Sequence, residues 1–156
     1  MRIVDIKEMK EIERLAQEKC GFDERLIVEN VGSKGASIIE SQILSRFQSS
    51  ELIFLIGRGN NGADGLAVAR HITSLGHNAR AFMLFGEDST SDELKTQLQM
   101  AKAFGVKVNL IEDIEHLSSY CSQVSGNIIF IDAIFGTGVR LPMSNFLYEV
   151  VDFVNN

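Results

Sequence analysis

The amino-acid sequence predicts an α/β fold, a mainly parallel sheet with helices packed on both faces. Three observations predict it. Leu52–Ile56 is continuously apolar with no alternation, the pattern of a strand buried on both faces, and three similar runs follow at Ala79–Phe85, Val106–Ile111 and Ile128–Ile131. Stretches with helical spacing separate these runs, and strand–helix alternation gives right-handed βαβ units and a parallel sheet. The chain has 156 residues, which fits one domain and lets roughly two-thirds of the unfolded surface be buried without staples.

In chain order, Ile6, Met9, Ile12 and Ala16 recur at helical spacing among Lys and Glu, and Cys20-Gly21-Phe22-Asp23 breaks that helix. A second helix is expected from about Glu24 to Phe47, with Leu26, Val31, Ile38, Ile39 and Ile43 as its apolar markers. Gly32 and Gly35 inside it suit close packing. After the first strand a helix is expected over about Gly65–Leu75. Another follows over Asp92–Phe104, where Thr90 and Glu93 stand at capping-box spacing. A weaker one lies near Ile114–Tyr120, and Phe146–Val154 closes the chain with Phe146, Val150, Phe153 and Val154 on one face.

Composition narrows the function. A formal charge of −6 argues against a reader of the nucleic-acid backbone, which needs a basic stripe. It leaves open a single nucleotide, whose phosphate can be held by backbone N–H groups. Cys20 and Cys121 stand far apart without a CxxC pattern and read as reduced thiols of a cytoplasmic protein. No apolar run approaches the roughly 18 residues of a membrane span, and the opening residues lack the apolar core of a signal peptide.

With the usual strand order 3-2-1-4, strand one lies beside strand four. Ligands of such sheets bind beyond the carboxyl ends at that reversal point. Two unusual segments then fall side by side, Gly57-Arg58-Gly59-Asn60-Asn61-Gly62-Ala63-Asp64-Gly65 and Asp132-Ala133-Ile134-Phe135-Gly136-Thr137-Gly138-Val139-Arg140-Leu141-Pro142. Gly57-x-Gly59-x-x-Gly62 satisfies a dinucleotide fingerprint between strand and helix, although a plain tight turn has the same glycines. Asp64 reads either as a cap at the opening of the next helix or as a partner for a hydroxyl, a ribose or a cation. Glu87 is positioned as the acidic ribose partner of a dehydrogenase. Asp132, ending strand four, is a cation ligand, a hydroxyl acceptor, a general acid/base or a turn-capping residue. Thr137 adds a hydroxyl. Arg140 offers a charge for phosphate, or is a solvated surface residue. The oxygens of Asn61 and Asp132 form a hard, singly charged pair suited to an alkali or alkaline-earth ion and not to zinc. His71, His77 and His116 show no ligand spacing, and there is no GxSxG, P-loop lysine or HExxH.

Gly57–Leu66 followed by Val68-Ala69-Arg70-His71 resembles the first signature of the NAD(P)H-hydrate epimerases, also called YjeF N-terminal domains. Ile131–Gly138 is similar to their second signature, and Leu26–Gly32 to their second-helix segment. The resemblance spans the chain, residues 1–156, as a single domain. It implies a three-layer Rossmann-like fold with two N-terminal helices, and interconversion of the R and S epimers of NADH or NADPH hydrated at C6, an isomerase step in nicotinamide cofactor repair. It also implies substrate contacts from Asn60, Asn61, Gly62, Ala63 and Asp64 and from Gly136, Thr137, Gly138, Val139, Arg140, Leu141 and Pro142. A potassium ion would lie on Asn61 and Asp132. A homodimer is implied, as is a fused or separate ADP- or ATP-dependent NAD(P)H-hydrate dehydratase. Asp132 is then the first candidate acid/base, Asp64 the second.

The sequence departs from the pattern at two points. Ala63 stands where the family usually has glycine, at a cost of about 1 kcal/mol if that position needs a positive φ. The family continues past the position of Asn156 with further strands and potassium ligands, so the domain is expected to lack its usual last strands and to leave strand four as an exposed edge. Competing functions are a non-catalytic nucleotide-binding or dimerisation module, or inactive fragment, of the same fold, and a dehydrogenase domain.

Overall fold

The computed structural model describes residues 3–47, 50–86, 90–138 and 142–156. Glu87, Val139, Arg140 and Leu141, singled out above, lie outside the described residues.

Helix α1 spans Ile6–Cys20. Asp5 caps it in a reciprocal box with Glu8, and Gly21 ends it at φ 71°. Helix α2 spans Glu24–Ile38, capped by Asp23, and runs on into a π-helical turn at Ile39–Leu44. The continuous helix expected to Phe47 is therefore widened in its last third. There the Ser41 and Ser45 hydroxyls donate to carbonyls one turn back, a bond that bends helices.

Four strands follow among the described residues: β1 (Glu51–Ile56), β2 (Ala79–Met83), β3 (Lys107–Leu110) and β4 (Ile128–Ala133). They alternate with α3 (Asn60–Ser74), α4 (Asp92–Ala103), α5 (Ile114–Gln123) and α6 (Asn145–Asn155). The sheet is parallel throughout, in the order β3-β2-β1-β4, as the sequence predicts. The fold is thus the three-layer, Rossmann-like α/β class.

Central β1 shows why its sequence does not alternate. Leu52, Phe54 and Ile56 enter the core under α2, α3 and α4, while Ile53 and Leu55 enter the core under α5 and α6. All five are buried. The α2–α3 contact depends on small residues. A Cβ on Gly32 would lie 2.7 Å from the Ala67 Cβ, and one on Gly35 would lie 2.8 Å from Val68 Cγ2, so both glycines serve close packing.

Beside that packing, the buried Arg70 guanidinium is hydrogen-bonded to Glu29 and stacks 5.4 Å from the Phe104 ring centroid. His71 Nε2 lies 2.7 Å from the same carboxylate. Burial alone would raise the Glu29 carboxyl, but the Arg70 and His71 bonds outweigh it and hold it below its ordinary value. Strand β4 is an edge, and Ile128–Ile131 are only half-buried.

Register decides where the site lies. Leu55 pairs with Asp132 and Ile56 with Ala133, and the Gly57 N–H donates to the Ala133 carbonyl at 3.0 Å. The two candidate loops therefore leave neighbouring strands at the same level.

Candidate functional site

The first loop is shorter than its sequence suggests. Helix α3 begins at Asn60, with Gly59 as an extended N-cap residue, φ −109° and ψ −165°. The helix expected from Gly65 thus starts five residues earlier. Asn60 and Asn61 form its first turn and Asp64 sits in its second, which removes the reading of Asp64 as a cap. No side chain caps this helix end. Ala63 is a buried helical residue, so the missing glycine carries no left-handed strain. At α4 the cap is likewise displaced. The helix opens at Asp92 as expected, which makes Ser91 rather than Thr90 the N-cap residue, and Ser91 accepts from the Leu94 N–H at 3.3 Å.

Of the fingerprint glycines, Gly57 serves contact between the loops and Gly62 contact within the first loop, while Gly59 stands in open space. A Cβ on Gly57 would fall 1.8 Å from the Ile134 carbonyl oxygen, and one on Gly62 2.1 Å from the Gly57 oxygen. Loop one is pressed directly onto loop two, and no side chain fits between them. Asn61 Nδ2 donates to the Phe135 carbonyl at 2.9 Å and ties them further.

Between and above the loops is an open cavity of about 750 Å³. Its walls include Asn60, Asn61 and Asp64 from α3, and Gly136, Thr137, Gly138 and Pro142 from loop two. Phe85 and Arg58 close one side, and Ile6, Met9, Lys10 and Glu13 of α1 form another. Sequence reasoning missed the part played by α1. It also passed over the Arg58–Phe85 pair. Both are contacts between segments distant in the chain, which periodicity does not report.

Gly62 and Ala63 are buried behind the wall rather than in it. Asp132 is exposed and does not line the cavity. Its Oδ1 turns back to accept the Ile134 N–H at 2.9 Å, the turn-capping arrangement. Asp64 is the half-buried carboxyl inside. Burial, and then the nearby Glu13 and Glu24 carboxylates, push it up from 3.8 to about 6. Glu24 also accepts from Asn60 Nδ2 at 2.8 Å, so α2 orients the first asparagine. Glu24 was not anticipated, although its place at the start of α2 is plain in sequence.

His71 and His77 face carboxylates, Glu29 and Glu40, and His116 faces its own helix cap Asp113. All three stand apart from the cavity wall. Cys20 and Cys121 are free thiols. Among the described residues no group of three or more His, Cys, Asp or Glu is arranged to hold a metal, and no helix is long and apolar enough to cross a membrane.

The sequence model of the YjeF-related protein N-terminus matches residues 24–156. The chain belongs to this family. Among curated relatives, it is 29% identical over 155 residues to the bifunctional NAD(P)H-hydrate repair enzyme Nnr of Thermofilum pendens, covering 99% of this chain and 29% of that one. It is 27% identical over 148 residues to the NAD(P)H-hydrate epimerase of Rhodopirellula baltica, covering 94% of this chain and 57% of that one. The chain thus spans under a third of the length of the first relative and under six-tenths of the second. The crystal structure of yeast ynu0, YNL200c, shares the fold with a TM-score of 0.77 at 24% identity, over 97% of this chain and 64% of that one.

Proposed function

We propose that this YjeF-type domain epimerises hydrated NADH and NADPH at C6 of the nicotinamide ring, as part of a repair system completed by an NAD(P)H-hydrate dehydratase. The observation that carries the reading is the raised carboxyl of Asp64, set among Asn60, Asn61, Gly136 and Thr137 in one open cavity. The names of the Thermofilum and Rhodopirellula relatives support the same class of substrate.

Epimerisation requires the C6 hydroxyl to leave and return, or the ring to open and reclose. Either route is redox-neutral and needs a proton delivered near C6 and later recovered. A general acid/base works best with a pKa near the working pH, and Asp64 at about 6 meets that condition. The amides of Asn60 and Asn61 and the Thr137 hydroxyl supply neutral hydrogen bonds to orient the ring and its carboxamide. Asp132 acts from outside the cavity, by fixing loop two through its bond to the Ile134 N–H.

The residues also fit a singly charged cation. Asn61 presents its carbonyl oxygen when its amide nitrogen is committed to Phe135, and Asp132 has a second carboxylate oxygen. One carboxylate with neutral oxygens suits potassium better than a divalent ion. When bound, the ion would supply a fixed positive charge beside loop two.

The test couples the chain to an S-specific dehydratase and follows recovery of NADPH from the R epimer in potassium buffer. Recovery faster than the spontaneous rate is the expected result. Asp64→Asn is expected to lower it by about 10²-fold or more. Replacing potassium by a bulky organic cation is expected to lower it as well. The competing reading is a non-catalytic nucleotide-binding module, favoured by the placing of Asp132 off the cavity wall. It predicts dinucleotide binding with no acceleration over the spontaneous rate.

A further inference from the structure

The cavity wall carries a feature that the epimerase reading does not use. Arg58 follows directly after the glycine that ends β1, and its backbone carbonyl accepts the Ser91 N–H at 3.1 Å. Its guanidinium carbon lies 5.4 Å from the Phe85 ring centroid, and both side chains line the cavity. Arg58 is exposed, and no carboxylate among the described residues pairs with it.

Stacking on an aromatic face uses the flat of a guanidinium and leaves its in-plane N–H groups unspent. Those donors form a rigid fork that matches the oxygens of a phosphate. The anchored backbone and the ring together hold the fork at a fixed place on the rim. Among the described lining residues the other cation is Lys10, on α1 one helix turn from Glu13, while Asp64 lies within the cavity. Lys10 thus shares its helix with a carboxylate, whereas Arg58 beside Phe85 has none paired with it among the described residues.

We propose that Arg58, stacked on Phe85, is the phosphate-recognising end of the cavity and takes a phosphate group of the dinucleotide. The inference rests on the dinucleotide reading above and adds which end of the ligand lies where. The nicotinamide ring is directed toward Asp64, away from the Arg58 fork. Two phosphate sources share this chemistry, the pyrophosphate common to both cofactors and the 2′-phosphate present only in the phosphorylated one.

The experiment is calorimetric titration of the full chain, wild type and Arg58→Gln, with NADP+ and with NAD+, at two salt concentrations in phosphate-free buffer. Arg58 is exposed, so the variant is expected to fold, which circular dichroism checks. Loss of a charge-assisted pair is expected to weaken NADP+ binding about tenfold or more and to flatten its salt dependence. Weakening confined to NADP+ identifies the 2′-phosphate as the group held, and equal weakening for NAD+ identifies the pyrophosphate. Phe85→Leu, which keeps the charge but removes the platform, is expected to weaken binding less than Arg58→Gln. Wild-type binding that Arg58→Gln leaves unchanged for both ligands overturns the assignment while the dinucleotide reading stands. A folded wild-type chain that binds neither ligand overturns both.

Discussion

At the scale of single residues, the decisive group is Asp64. Its acid is stabilised in the folded state, so between pH 3.8 and about 6 the folded chain holds this proton more tightly than the unfolded chain does. Stability from Asp64 is therefore present below its unfolded value and is lost as pH rises through about 6. Asp64→Asn is expected to stabilise the fold at pH 8 by on the order of 1–3 kcal/mol, with the gain vanishing below about pH 4. Urea titrations at the two pH values check this, and an unchanged midpoint at pH 8 would show that the carboxyl is not desolvated. Gly57 makes a separate prediction. Alanine there meets the Ile134 carbonyl at 1.8 Å, whereas alanine at Gly59 meets nothing within 4 Å. Gly57→Ala is expected to cost about 3 kcal/mol or more in thermal unfolding, Gly59→Ala well under 1.

These residues also show how far sequence reasoning reached. The two loops were legible because strand order and the reversal rule place them side by side whatever the side chains do. The start of α3 was not, because Asn60, Asn61 and Gly62 have low helix propensity. A first turn needs no intrahelical N–H partners, so contact with loop two was enough to decide it. In sequence the place of Asp132 at the end of β4 favours it over Asp64. Position fixes the backbone but not the rotamer, and the nearby Ile134 N–H holds the carboxylate outside the cavity.

At the scale of elements, α2 against α3 is the contact on which the site stands. It brings Glu24 to Asn60 and sets Asp64 in its acidic surroundings. Gly32, Gly35 and the Glu29–Arg70–His71 group hold it. Arg70→Met removes the guanidinium while keeping bulk against Phe104, and leaves Glu29 facing only a histidine. The expected cost is about 2 kcal/mol, read as a lower melting temperature, with a smaller loss for Glu29→Gln. Equal melting of Arg70→Met and wild type would mean that the small-residue packing alone sets the helix spacing. The strands were the most legible elements, because burial on both faces leaves an unbroken apolar run. The π-helical turn at Ile39–Leu44 was the least legible, since its apolar markers fit either helix type.

At the scale of the whole molecule, the core lies in two layers about β1, and α1 contributes no buried residue to either. Removing residues 1–22 is therefore expected to leave the sheet and α2–α6 folded, with little change in urea midpoint. The cavity would lose Lys10 and Glu13, and the Asp64 acid would fall toward its ordinary value as solvent enters and one neighbouring carboxylate departs. The acidic limb of the pH–rate profile is expected to move down accordingly. A truncated chain that fails to fold would place α1 in the core instead.

The position of α1 has a consequence for how such a domain diversifies. Behind the cavity the two loops meet backbone to backbone at Gly57, so a side chain added there disturbs the sheet itself. The wall built by Ile6, Met9, Lys10 and Glu13 stands on a helix that buries none of its side chains in the core. Substitutions on that helix face can change which molecule is preferred at small cost to folding, so selection on specificity and selection on stability act on different residues.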